Sequence, residues 1–173
     1  ISLDGKTVLS LGEGYSGLTP FLRKQGAQAL GLDLWYGQDL SPFQDAIGHA
    51  FLELYYTKYQ NFLITGDASN LKRVHGAGMT SIADSSVDYV VSHMMFDYLN
   101  QAARLQTLNE AIRILKPGGE IRIYADADQI SQEEITHLAH EIDLSQTSMV
   151  VVHLEVGIKA KDLRTRFTKH RET

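Results

Sequence analysis

The chain contains no cysteine, and that absence removes several chemistries together. A thiolate nucleophile, a cysteine zinc site and an iron–sulfur cluster are excluded, so any reaction must run on oxygen and nitrogen groups. Long apolar runs are missing too. None approaches the roughly 20 residues needed to cross a bilayer, and Ile1 to Thr7 carry no basic-then-apolar leader pattern. A soluble, cytosolic protein is expected. Basic charge is in the minority, with 16 Lys and Arg against 21 Asp and Glu, a net charge of -5 and a pI near 5.8. Broad binding to nucleic-acid phosphate needs a basic face, so the balance argues against it. The local exception runs from Gly157 to the end, where Lys159, Lys161, Arg164, Arg166, Lys169 and Arg171 give a net +4 against -9 over the remainder. Its simplest reading is a solvated C-terminal strand or hairpin.

What is present has the balance of an ordinary folded domain. Hydrophobic residues make up 43% and charged residues 21% of 173 residues, which suits one domain over 1–173 and rules out disordered and disulfide-scaffold classes. Opening on Ile1 rather than Met, and entering a strand within a few residues, suggests a chain trimmed or cut from something longer.

Apolar runs alternate with amphipathic stretches. Val8 to Leu11 reads as a buried strand, followed by a helix through Leu18, Phe21 and Leu22 that Gly26 ends. Ala29 to Leu32 is a second strand ending at Asp33. Phe43, Ile47, Phe51, Leu54, Tyr55 and Tyr59 then predict one face of a long helix. Phe62 to Ile64 and Val87 to Val91 read as the third and fourth strands, with an irregular Gly- and Ser-rich stretch from Ala68 to Ser86 between them. Leu105, Leu108, Ile112 and Leu115 mark a helix that Pro117-Gly118-Gly119 must stop. Ile121 to Tyr124 alternates as a fifth strand. Ser131 with Glu134 fits a capping box and Ile130 with Ile135 a hydrophobic staple, so a helix begins there. Met149 to Val152 and Thr165 to Thr168 finish the chain as two strands. The pattern predicts an α/β, Rossmann-like doubly wound sheet, mostly parallel with an antiparallel C-terminal strand.

The chemistry centres on Gly12-Glu13-Gly14-Tyr15-Ser16-Gly17, placed where a strand turns into a helix and backbone can approach a ligand without a Cβ in the way. The spacing is G-x-G-x-x-G, with Asp33 about twenty residues on to hydrogen-bond ribose hydroxyls. Taken alone it fits NAD, another adenosine cofactor, or a tight turn with no ligand. A phosphate-cradling Walker loop is excluded, because no Gly-Lys-Ser/Thr follows.

Val8 to Gly17, Leu32-Asp33, Gly66-Asp67-Ala68, Ile82 to Val91 and Glu110 to Gly119 together, in this order and spacing, resemble the class I S-adenosylmethionine-dependent methyltransferases, especially the methyltransferase type 11 branch. The resemblance spans nearly the whole chain and implies a seven-stranded fold. It also implies S-adenosylmethionine as cofactor and S-adenosylhomocysteine as product. By that likeness Gly12, Glu13, Gly14, Ser16 and Gly17 would pass under the methionine part of the cofactor. Asp33 would accept from the ribose hydroxyls, Leu34 would pack on adenine with Trp35 as a second candidate, and Asp67 and Ala68 would read the adenine edge. Ser92 is grouped with the same set.

Three departures stand out. Ser10 replaces a common acidic residue, and Ser16 replaces a loop glycine. Glu13 fills a slot usually held by a small residue, its carboxylate facing either the ligand's ammonium or solvent, with solvent the simpler reading. The N-terminal helices that often cover the substrate in relatives are not in the sequence.

Methyl transfer is an in-line displacement, so positioning and acceptor deprotonation are the protein's tasks. The segment after the fourth strand, Ser92-His93-Met94-Met95-Phe96-Asp97-Tyr98, offers His93 as a base and Asp97 or Tyr98 to orient a substrate. Met94, Met95 and Phe96 read as pocket wall or core. No N-P-P-Y sequence follows that strand, which argues against methylation of planar exocyclic amines on bases. No oxygen-ligand cluster suggests a metal, and His137 and His140 read as two solvated histidines on one helix. The expected activity is O- or N-methylation of a small molecule or a side chain, with the acceptor unspecified and a protein partner allowed. The competing readings are a methyltransferase-like binding module without catalysis, and an NAD-binding oxidoreductase domain.

Overall fold

The computed structural model describes residues 2–38, 46–126, 128–154 and 163–167. One sheet organises them. Its strands are β1 (Thr7–Leu11), β2 (Gln28–Asp33), β3 (Leu63–Gly66), β4 (Val74–His75), β5 (Val87–His93), β6 (Leu115–Asp126), β7 (Ser148–Leu154) and β8 (Leu163–Phe167). The helices are α1 (Leu18–Lys24), α2 (Ala46–Tyr59), α3 (Gln101–Ile114) and α4 (Gln132–Glu141), with a single 3₁₀ turn at Met95–Tyr98.

The sheet order is β4-β3-β2-β1-β5-β6-β7-β8. Pairing from β3 through β7 is parallel, in registers such as Leu11↔Leu32, Leu11↔Ser92, Ser92↔Ile123 and Ile123↔Val151. The two edge strands, β4 and β8, pair antiparallel to their neighbours. The antiparallel C-terminal strand is therefore present, and the two-residue β4 is an eighth strand lying inside the stretch expected to be irregular.

Helices cover both faces, which is why the strands read as near-continuous apolar runs. Leu9, Leu11, Leu32, Ile64, Val90, Ile121 and Ile123 face α3 and α4 in the main core with Leu108, Ala111, Ile114, Ile135 and Leu138. On the other face Val8 and Ala29 pack with Leu22 of α1, while Leu63 packs with Leu52, Tyr55, Tyr56 and Tyr59 of α2. The caps are local and legible. Asn100 Oδ1 accepts the Ala103 N–H at 2.9 Å to start α3, and Ser131 Oγ accepts the Glu134 N–H at 3.2 Å to start α4, with Ile130 and Ile135 buried as the staple requires.

Several expectations are corrected. In α2, Tyr55 and Tyr59 of the predicted stripe pack inward, but Phe51 and Leu54 are exposed, and Leu52 and Tyr56 complete the packed face in their place. Phe43 and the side chain of Ile47 lie outside the described residues. Phe21 of α1 is likewise exposed. Helix α3 runs to Ile114, and Leu115 both caps it, with its N–H on the Ala111 and Ile112 carbonyls, and opens β6. Pro117-Gly118-Gly119 forms an excursion within β6, since Val87 pairs Leu115 whereas Tyr89 already pairs Glu120. Lys116 Nζ is tied to Asp88 at 2.8 Å and the Gly118 N–H to the Gln146 carbonyl. Strand β5 extends to His93, so Ser92 and His93 are strand residues. At the far edge β8 covers Leu163–Phe167 and Thr168 lies outside the described residues.

Candidate cofactor site at the sheet's switch point

Strand order reverses between β1 and β5, and open parallel sheets bind ligands in the crevice at such a point, beyond the strands' C-terminal ends. A cavity of about 640 Å³ lies there. Its walls include Gly12, Asp33, Leu34, Gly66, Asp67 and Ala68 from the ends of β1, β2 and β3, and His93, Met94 and Met95 from the end of β5. Gly12 and both acidic strand ends, far apart in sequence, thus face one space, while Glu13, Gly14, Ser16 and Gly17 of the loop are not among its lining residues. Its size falls in the range of sites that enclose a drug-sized molecule.

Asp33 is 8% exposed, and its carboxylate accepts two backbone N–H groups, Gly14 on Oδ2 and Trp35 on Oδ1, each at 2.9 Å. Each oxygen keeps a lone pair for a ligand hydroxyl. Burial raises its pKa above the ordinary carboxylate value, Glu13's charge adds to the rise, and the two N–H donors oppose it. Asp67 is exposed, its Oδ1 taken by the Ser69 N–H at 2.8 Å and the Ser69 hydroxyl at 2.7 Å. Leu34 and Trp35 stand half-exposed on the same wall, apolar surface suited to a flat ring. From α3, Ala103, Gln106 and Thr107 close the opposite side. These three were not singled out from the sequence, although their i, i+3, i+4 spacing marks one helix face.

The loop's glycines have different reasons to be glycine. At Gly12 (φ 63°) an added Cβ would lie 2.4 Å from Met95 Cβ, so the space above it belongs to a side chain of the protein. At Gly14 (φ 52°) an added Cβ would meet nothing within 4 Å, which leaves that backbone open to a ligand.

Glu13 is corrected outright. It is 3% exposed and points neither to solvent nor into the cavity; its oxygens accept from Thr19 and Tyr55. Ser16 is exposed, with Oγ accepting the Leu18 N–H at 3.2 Å, and Gly17 precedes α1 in left-handed geometry. Ser92 is buried on the α3 side of β5 and does not line the cavity; its Oγ and that of Ser10 have no hydrogen-bond partner among the described residues.

At the end of β5, Met94 adopts φ 64°, a strained value for a non-glycine residue, and its N–H is held by the Tyr124 carbonyl at 2.8 Å. That kink exposes His93 at the boundary of the cavity. Asp97 is not among the residues that line the cavity. Its carboxylate receives the Asp126 N–H at 3.1 Å, while burial and then Asp126's charge push its pKa up against the pull of Arg104 and His93. Tyr98 projects into solvent at the cavity rim and Phe96 is core. His137 and His140 are both exposed on α4, His137 against Glu141 at 3.4 Å. Among the described residues no helix is long and apolar enough to cross a membrane.

A doubly wound sheet with an open glycine loop, two acidic strand ends and one shared cavity defines an adenosine-cofactor fold. The sequence comparison then fixes the family: residues 9–123 match the model of the methyltransferase domain, and the chain belongs to that family. An arsenite methyltransferase from Aquipseudomonas alcaligenes is 33% identical over 145 residues, covering 78% of this chain and 38% of that protein. The chain thus spans well under half the length of that relative. Among solved structures, a TehB-like SAM-dependent methyltransferase from Corynebacterium glutamicum has a similar fold (TM-score 0.61, 20% identity, 96% of this chain and 82% of that one). So does Haemonchus contortus phosphoethanolamine N-methyltransferase 1, solved with phosphoethanolamine and S-adenosylhomocysteine (TM-score 0.51, 16% identity, 98% and 29%).

Proposed function

We propose that this domain binds S-adenosylmethionine in the switch-point cavity and transfers its methyl group to an oxygen or nitrogen of a small molecule or side chain. The observation that carries the reading is the convergence of Gly12, Asp33, Asp67 and Ala68 on one cavity that also receives His93. The residues fit the cofactor's chemistry. Asp33 offers carboxylate lone pairs to vicinal hydroxyls, Leu34 and Trp35 offer apolar faces to a purine, Asp67 and the Ala68 backbone suit its polar edge, and the open space beside Gly14 leaves room for the amino-acid end.

When bound, the cofactor supplies an electrophilic methyl group on a sulfonium. The chain's own tasks are to orient the acceptor and to take its proton. His93 borders the cavity, where an imidazole nitrogen would accept that proton. Met94, Met95 and Leu99 supply apolar wall that keeps water from the reacting pair.

Arsenite is not adopted as the acceptor. Trivalent arsenic is a soft centre that favours thiolate ligands, and these 173 residues contain none. A cytosolic setting belongs to the same proposal.

The test is isothermal titration with S-adenosylmethionine, S-adenosylhomocysteine and NAD. Micromolar binding of the first two without NAD supports the reading. NAD binding alone would move it to an oxidoreductase domain, and binding without turnover over a broad acceptor panel to a non-catalytic module.

A further inference from the structure

Glu13, second in the glycine loop, is clasped from below. Its carboxylate accepts the Thr19 N–H at 2.8 Å, the Thr19 hydroxyl at 2.7 Å and the Tyr55 phenol at 2.6 Å. Room for it comes from Gly31 of β2, where a Cβ would fall 2.8 Å from Thr19 Oγ1 and 3.2 Å from Glu13 Cγ. One phenol from α2 therefore holds the second residue of the loop by its carboxylate.

A second phenol holds the middle. Tyr36, 1% exposed, donates to the Gly14 carbonyl while Asp33 receives the Gly14 N–H. Helix α2 fixes both rings: Tyr56 stacks on Tyr36 with centroids 5.3 Å apart, and Tyr59 packs edge-on against Tyr55 at 4.9 Å. Burial, reinforced by Glu13, raises both phenols far above their ordinary range, so each stays a neutral donor.

We infer that Tyr55 and Tyr36 are positioning residues, which hold the glycine loop through Glu13 and Gly14 in the shape that receives the amino-acid end of the cofactor. Affinity for that end then becomes a property of how α2 is seated. The physical reason is pre-organisation: Gly12, Gly14 and Gly17 all sit at positive φ, glycines have little intrinsic preference for one loop shape, and external hydrogen bonds remove the ordering cost from binding. This inference rests on the cavity being the cofactor site.

Tyr55→Phe keeps the ring and removes its hydrogen bond to Glu13. Titration of the intact chain with S-adenosylhomocysteine and with adenosine, which lacks the amino-acid end, separates positioning from general stability. The expected result is about a tenfold weaker Kd for S-adenosylhomocysteine, the scale of one charge-assisted bond, with adenosine within about twofold. Tyr59→Phe, which alters the neighbouring ring, should move neither ligand. Equal weakening of both ligands, or no weakening, overturns the inference. Hydrogen exchange supplies a readout without ligand: the Tyr15 to Gly17 amides should exchange about tenfold faster in Tyr55→Phe while the amides of β1 and β5 do not change, and unchanged loop exchange overturns it equally. If the wild-type chain binds neither ligand, the cofactor reading fails and the exchange result alone decides the clasp. Should Tyr55→Phe not fold, Tyr36→Phe carries the same measurements.

Discussion

Gly12→Ala isolates what the glycine loop is built around. The added methyl carbon would stand 2.4 Å from Met95 Cβ and 2.6 Å from Met95 Cγ, on a residue with φ 63°. The Cγ can rotate away, but Met95 Cβ is fixed to its backbone, so the 3₁₀ turn or the loop must shift. Overpacking of this kind costs about 1–3 kcal/mol, and left-handed backbone adds about 1–2 kcal/mol for a residue with a Cβ. The sum is about 2–5 kcal/mol, which for a chain of this size lowers Tm by roughly 5–20 °C. Gly14→Ala provides the internal control, because its φ of 52° carries the same backbone cost while its Cβ would meet nothing within 4 Å; a loss of about 1–2 kcal/mol is expected. Thermal melts followed by circular dichroism, with urea titrations alongside, compare the two. Adding Met95→Gly to Gly12→Ala should not restore full stability, since it removes the clash and leaves the backbone strain. Melting points for Gly12→Ala and Gly14→Ala within about 2 °C of each other would refute the packing argument.

Further outcomes follow from the same geometry. Asp33→Ala should stay folded but lose the acceptor of two loop N–H groups, costing about 1–3 kcal/mol and lowering S-adenosylhomocysteine affinity at least about tenfold, read by melts and titration. Glu110 carries a pH dependence. Its hydrogen bonds from Arg113 hold its pKa below the ordinary value, and it also accepts the Leu71 N–H at 2.8 Å. The stability it contributes is therefore present above the unfolded glutamate value and lost as pH falls through the lower folded value. Wild-type stability should decline there, and Glu110→Gln should flatten that part of the urea-midpoint profile between pH 3 and 6 (about the titration range of carboxylates). Arg104→Met removes a 7%-exposed guanidinium that joins the Phe96 carbonyl at 2.9 Å to Glu134. It should destabilise by about 2–3 kcal/mol, whereas Asp84→Asn, on a carboxylate 74% exposed, should change stability by less than about 1 kcal/mol.

The parts of this molecule that were readable in the sequence are those where one residue type has one job. Val8 to Leu11 had to be a strand buried on both faces, Ser131 had to cap α4, and Asp33 had to end β2 at the sheet's rim, because local chemistry and the tertiary role agree. The misses occur where a partner distant in sequence decides. Glu13 was taken toward solvent, since only the fold brings Tyr55, 42 residues away, onto its carboxylate. Phe51 and Leu54 look like core by spacing, yet α2 turns its tyrosines inward to meet Leu63 and the loop. Gly12 reads as a ligand-facing glycine and does line the cavity, but the need for glycine there comes from Met95, which only the fold brings against it. Leu115 continues a helical pattern, and its N–H still bonds back to the Ala111 and Ile112 carbonyls of α3, but the same residue pairs with Val87 of β5 and so begins the next strand. The cavity wall from α3 was illegible for the same reason: Ala103, Gln106 and Thr107 carry no distinctive chemistry until the sheet places them opposite Asp33.

On the proposed function, one cavity at the switch point holds an adenosine cofactor through Asp33. Titrating S-adenosylhomocysteine into the wild-type chain and into Asp33→Ala in parallel tests it most directly. A saturable 1:1 isotherm in the micromolar range for the wild type, weakened at least about tenfold in a folded Asp33→Ala, is what the geometry predicts. Equal affinity in the two chains, or a folded wild-type protein that binds no S-adenosylhomocysteine, would contradict it.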